Sequence, residues 1–258
     1  MKNLEKDIQR ASTANEEELE SLVHHPSSRV IARLIHNKNL TEGLALILAG
    51  RKNVSPDILE ALSINARWKG SYKIKLALCK NPKTPQRLSL ALIKSLKIFD
   101  LADMTKNKVI PINLRMRIEA DISERIPAIP LGIKITLAKR ASSSVLMKLI
   151  EEGLKEVVAA CLDSPYMTEG DIYKIISMGK ISPQVIRMIA GHARWSCRYM
   201  IRWALTRNTH APLACVVNFL KDMKKTDLEE LYSAPEVPSC TKPFIYRELS
   251  GREESYSE

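Results

Sequence analysis

Little in this chain could build a sheet, a membrane span or a disulfide framework. Aromatic residues make up 5% of the 258 residues and glycine occurs nine times. Strands favour aromatic and β-branched residues, so this scarcity points to helices packed through leucine and isoleucine. No unbroken apolar run exceeds the length of Leu44 to Ala49, which falls far short of the roughly 20 residues that cross a bilayer. The opening MKNLEKDIQR is charged and lacks the apolar core of a secretory signal. Cys79, Cys161, Cys197, Cys215 and Cys240 are odd in number and contain no Cys-x-x-Cys pair, which leaves neither a disulfide framework nor a metal-ligand spacing. Read as small hydrophobes of a reducing compartment, they place the protein in the cytoplasm. His24, His25, His36, His192 and His210 are scattered, with no nucleophile or orienting carboxylate beside them, and no Gly-rich phosphate loop is present. No metal, cofactor or enzymatic activity is expected.

What the chain has is repetition. A twelve-residue pattern is clearest at 74–85 (IKLALCKNPKTP) and 201–212 (IRWALTRNTHAP). Looser copies begin at residues 45, 100, 133, 157 and 227, and a degenerate one at residue 18. Within 74–93 an apolar stripe (Ile74, Leu76, Ala77, Leu78) predicts a short first helix that Pro82 ends. Thr84 is then expected to cap a second helix with Pro85 in its first position, carried inward by Leu88, Leu92 and Ile93. The same grammar reads Ser55-Pro56 and Ala211-Pro212 as helix starts, with Ser144 and Thr168 as caps where the proline is absent. Ser182-Pro183 adds a further start inside the long interval 157–201, which reads as an irregular or doubled unit. Thr13 with Glu16 predicts a capping box before ELESLV, and the polar stretch from Arg247 onward is expected to fray. The strongest match is longer: 65–85 and 192–212 share nine of twenty-one positions without a gap and are copies.

Two-helix units of this kind cannot bury their own apolar stripes and are stable only when stacked. The expected fold is therefore all-α, a right-handed α-solenoid of about seven or eight degenerate repeats. It is read as a single domain over 1–258, with a helical cap and degenerate first repeat at 1–44, the array at 45–240 and a short acidic terminal segment at 241–258. An aromatic residue, a basic and apolar helix, then N-P-x-T-P followed by leucines resembles the leucine-rich repeat variant family within the HEAT-like α-solenoids. The resemblance covers about 45–240 and implies architecture. The founding type of that repeat carries an iron–sulfur cluster on a separate cysteine-rich segment, which this chain does not contain.

Charge supplies the candidate site. The net charge is +11, and the Lys/Arg excess lies within residues 51–150, while the remainder is slightly acidic. The seventh column of the pattern reads Arg51, Lys80, Lys106, Lys139 and Arg207 in five copies. Stacked repeats would set equivalent positions along one edge at roughly 10 Å intervals. Arg51, Lys80, Lys106 and Lys139, flanked by Lys52, Lys83, Arg87, Lys108 and Arg140, would then form a ladder for an acidic partner. The competing explanation is that a cation in the last turn of a helix merely favours its dipole, by about 0.3–1 kcal/mol. Trp68, Trp195 and Trp203, near Arg67, Arg194, Arg198 and Arg202, also fit a HEAT-like glycosylase for alkylated purines, using aromatics against a cationic base. Trp68 and Trp195 share a repeat position, which favours an architectural role. The functional expectation is a non-catalytic scaffold that binds an acidic macromolecule, in the first place a protein. Nucleic-acid binding through the same ladder is the alternative, with the glycosylase behind it.

Overall fold

The computed structural model describes residues 2–254, and among them every regular element is helical. The chain divides into two compact units between residues 125 and 126. The first, 1–125, contains α1 (Lys2–Thr13), α2 (Glu16–Leu22), α3 (Ser28–Leu34), α4 (Glu42–Gly50), α5 (Pro56–Ile64), α6 (Tyr72–Lys80), α7 (Gln86–Ile93), α8 (Ile98–Thr105) and α9 (Ile112–Arg125). The second, 126–258, contains α10 (Leu131–Ala138), α11 (Ser143–Glu151), α12 (Lys155–Leu162), α13 (Glu169–Ser177), α14 (Pro183–Gly191), α15 (Ala193–Ser196), α16 (Tyr199–Thr206), α17 (Leu213–Leu220), α18 (Lys225–Ser233) and α19 (Lys242–Glu254).

The two series are one series repeated. Each of α2 to α8 begins 127 residues before its counterpart, in the order α11, α12, α13, α14, α16, α17 and α18. The short α15 corresponds to the turn at 66–69. The copying visible at 65–85 and 192–212 is thus the best-preserved part of a duplication that spans both units. This also accounts for the long interval at 157–201. The helix pair α13 and α14 is the counterpart of α4 and α5, with IYKIISMGKISP at 172–183 standing where ALILAGRKNVSP stands at 45–56.

Each helix buries one apolar stripe. In α5 it is Ile58, Leu59 and Leu62, and in α14 it is Val185, Ile186 and Ile189. Burying one such side chain contributes about 1.5–3 kcal/mol. Pro56 and Pro183 occupy the first turn of their helices behind Ser55 and Ser182, as the sequence predicts, because a missing N–H costs nothing there. Thr168 caps α13 through a box with Asp171.

Four local expectations change. The first capping box is formed by Asn15 and Glu18, since Thr13 is still inside α1. The Thr84 hydroxyl faces backwards and donates to Leu78 O at 2.6 Å, so it closes α6 instead of opening α7, whose cap position is Pro85. Ser142, two residues earlier than Ser144, precedes α11. Residues 247–254 belong to α19 rather than to a frayed tail, because Ile245 is buried and Arg252 is tied to the preceding turn. The remaining tail residues, 255–258, lie outside the described ones.

Candidate partner-binding edge

Helix C-termini leave carbonyls without partners, and the chain closes them with side chains from roughly one repeat later. The Asn81 amide Nδ2 donates to Ala49 O at 2.7 Å and to Arg51 O at 2.9 Å, while its Oδ1 accepts from Lys83 N at 2.9 Å. Asn208 repeats this in the second unit, donating to Ile176 O and accepting from His210 N, both at 2.9 Å. Asn37 likewise donates to Ala11 O and Ala14 O. Arginines do the same with a charged fork. Arg67 donates to Asn37 O and Leu40 O at 3.0 and 2.6 Å, and Arg194 donates to Ser164 O and Met167 O at 2.9 and 3.1 Å. Arg125 and Arg252 form a second such pair, on Leu96 O and Ile93 O and on Met223 O and Leu220 O.

The same ties place two of the three tryptophans. Arg67 lies 4.8 Å from the Trp68 ring centre and Arg194 lies 4.2 Å from that of Trp195. Both tryptophans are buried. The Trp195 Nε1–H donates to Leu162 O at 2.9 Å. In the first unit the equivalent carbonyl, Ile35 O, receives Asn65 instead, because His192 replaces that asparagine in the second copy. Arg202 forks between Ser196 O and Asp222 at 2.7 and 2.5 Å.

The opposite ends of the helices fix their direction. Ser71, which caps α6, donates to Glu42 at the start of α4. The Tyr72 hydroxyl donates to Asp100 in the first turn of α8 and accepts from Lys97 N at 3.0 Å. Burial, then the bond to Asp100, raises the Tyr72 pKa. Tyr199 makes the same pair of bonds with Asp227 and Lys224 and is raised for the same reasons. So α4, α6 and α8 run parallel, and the turns that follow them share one edge of the first unit.

That edge carries most of the predicted ladder. Lys80 is the last residue of α6 and is exposed, as are Lys52, Lys83, Arg87 and Lys108. None of these five side chains has a hydrogen-bond or ionic partner among the described residues. Arg51 departs from the ladder reading: its guanidinium is half-buried and is a tie, donating to Val23 O and to His25 O. Lys106 is half-buried, 3.6 Å from Asp103. Lys139 and Arg140 are exposed at the end of α10 and belong to the second unit.

The second unit offers an internal control. At the positions of Lys52, Lys83, Arg87, Lys106 and Lys108 it has Gly179, His210, Ala214, Ser233 and Pro235. Lys80 becomes Arg207, which pairs with Glu236 at 3.0 Å and lies 5.9 Å from the Trp203 ring centre. The same helix ends are therefore closed in both copies with very different numbers of cations.

Other chemistry is sparse. Burial pushes the Cys79 and Cys161 thiols up to about 12, which keeps them protonated and inert. No group of three or more metal-capable side chains occurs among the described residues, and no described helix is long and apolar enough to cross a membrane. The asparagine ties were missed in the sequence although a signal existed, since Asn81, Asn107 and Asn208 all follow the basic column directly. No family model, curated protein or solved structure matches the chain.

Proposed function

We propose that this protein is a non-catalytic scaffold, an α-solenoid of degenerate two-helix repeats, whose first unit presents a basic edge to an acidic macromolecular partner. One observation carries the reading: Lys52, Lys80, Lys83, Arg87 and Lys108 are exposed without partners on an edge whose copy in the second unit has lost four of these cations and paired the fifth. A dipole role predicts cations at both sets of helix ends. Asn208, Arg194 and Arg252 tie the second unit's helix ends as Asn81, Arg67 and Arg125 tie the first's, so closure does not call for the additional exposed cations of the first unit. Partner binding accounts for what the helix ends do not require. Exposed like charges of this kind act mainly on orientation and association rate.

A protein partner is the leading reading, and a nucleic acid is the alternative. Against the glycosylase reading, the Arg67 and Arg194 forks and the Trp195 N–H are engaged by backbone carbonyls, which supports an architectural role for these three residues. The deciding experiment is affinity capture from the native host with and without nuclease, using wild type and a variant carrying Lys52→Glu, Lys80→Glu and Lys83→Glu. A partner that survives nuclease and is lost in the variant supports the protein reading. Capture abolished by nuclease transfers it to nucleic acid, and equal capture by both proteins refutes the basic edge.

A further inference from the structure

We propose that the outward face of α9, with the groove it forms against α7, docks an acidic amphipathic helix of a partner protein; this inference rests on the scaffold reading above. Val109, Ile112 and Met116 are 49%, 62% and 61% exposed. Ile112 and Met116 are one turn apart on a single face, and Val109 continues the strip into the preceding turn. The opposite face is committed to the core through Leu114, Ile118 and Ile122. On the adjoining side of α9, about a quarter-turn around the helix from Met116, a cavity of about 550 Å³ against α7 is lined by Leu90, Ala91, Ile93, Lys94 and Arg117. It has room for a large aliphatic or aromatic side chain. The lining also includes Asp121, which lies 2.6 Å from Arg125 and whose pKa burial raises, and the exposed Glu124. A partner's carboxylates would therefore lie towards Lys108 and Arg117, away from the Glu124 end.

The duplicated unit again separates scaffold from function. Glu236, Ser239 and Pro243 stand where Val109, Ile112 and Met116 stand, Pro235 replaces Lys108, and Phe244 replaces Arg117. α19 nonetheless buries Ile245, the counterpart of Ile118. The fold thus needs neither the apolar strip nor its flanking cations, and both are absent together from the copy. A nucleic acid would use the cations but gain little from Ile112 and Met116. A helix with leucines at i, i+3 and i+4 and glutamates on its flanks uses both.

The test uses the full chain and fluorescently labelled synthetic helices of roughly 18 residues, about five turns. These share one leucine face and differ only in carrying glutamate or lysine on the polar face. Duplex DNA and single-stranded RNA are run in parallel, with anisotropy as the readout. The glutamate-faced helix should bind about tenfold or more tighter than the lysine-faced one. Ile112→Asp with Met116→Asp should weaken it by about tenfold or more, as expected when anchors of a docking surface are removed. Helicity and Tm should be unchanged. Lys108→Glu with Arg117→Glu should weaken binding and flatten its salt dependence. Equal binding of both peptides overturns the proposal. So does wild-type affinity in the Ile112/Met116 variant, binding of nucleic acid in place of the peptide, or self-association through α9 with no peptide bound. If reversing Lys52, Lys80 and Lys83 abolishes binding while the Ile112/Met116 variant binds normally, only this inference fails. If no acidic ligand of any class binds, the scaffold reading fails with it.

Discussion

Lys80 and Arg207 occupy the same turn of the same structural unit, and one is unpartnered while the other is not. Lys80 projects from the end of α6 beside Lys83 and Arg87 with no carboxylate to meet it. Arg207 sits beside Trp203 and is paired with Glu236. Two copies built on one plan separate what the plan needs from what a single copy has added. Shared residues are the ties: Arg67 and Arg194, Tyr72 and Tyr199, Asn81 and Asn208, Asp100 and Asp227, Arg125 and Arg252. Residues that differ include the exposed lysines and the α9 strip. The lesson is that a basic column in a helical array is not one class of residue. Arg51 is bound to backbone carbonyls, and Lys80 is available.

The sharpest way to break this comparison is to cut equivalent ties. Arg67→Ala and Arg194→Ala each remove two charge-assisted hydrogen bonds to helix-end carbonyls. Each should cost about 3 kcal/mol, and urea melts should place the two variants within about 1 kcal/mol of each other. A lysine in either place should not rescue stability, since it lacks the fork. Next, Lys52→Glu with Lys80→Glu and Lys83→Glu should reduce capture of an acidic partner by about a hundredfold, equivalent to 2.7 kcal/mol. The Tm should barely move. The reciprocal change, Gly179→Lys with Ala214→Arg and Ser233→Lys, should add polyanion affinity to the second unit without destabilising it. Tyr72→Phe and Tyr199→Phe should each cost about 1.5 kcal/mol, by the same amount in both units.

The alkaline limb gives a smaller effect. Cys79 and Cys161 ionise near 12 in the folded protein against an unfolded value of 9. Between those values the unfolded chain loses protons that the folded one keeps. Stability is therefore full below pH 9 and falls as pH rises towards 12, by up to about 1.4 kcal/mol per pH unit for each thiol. Cys79→Thr and Cys161→Leu import the residues found at the equivalent positions 206 and 34. Denaturant titrations from pH 8 to 11 should show a shallower fall in the double variant.

Much of the fold was legible because helical grammar is local. Apolar spacing, the Ser-Pro starts, the Thr168 cap and the 127-residue match between 65–85 and 192–212 lie on the surface of the sequence. The full duplication was not, since most core positions exchange one aliphatic for another and leave the identity on scattered tie residues. For that reason the interval 157–201 could be read only as an irregular or doubled unit, and the pair α13 and α14 fills it. The candidate edge was half legible: the basic column falls at the ends of α4, α6 and α8, but its members could not be sorted into tied and untied. The α9 strip left no signal, because Val109, Ile112 and Met116 look like core residues until Leu114, Ile118 and Ile122 are seen to fill the core.

By itself, then, the sequence determined an all-helical chain, several helix starts to within a few residues, and the existence of copies. Only the tertiary structure decided which arginines close helices and which lysines remain unpaired. A carbonyl about thirty residues away selects its partner by geometry, and residue type alone does not tell a tied arginine such as Arg51 from an unpaired lysine such as Lys80.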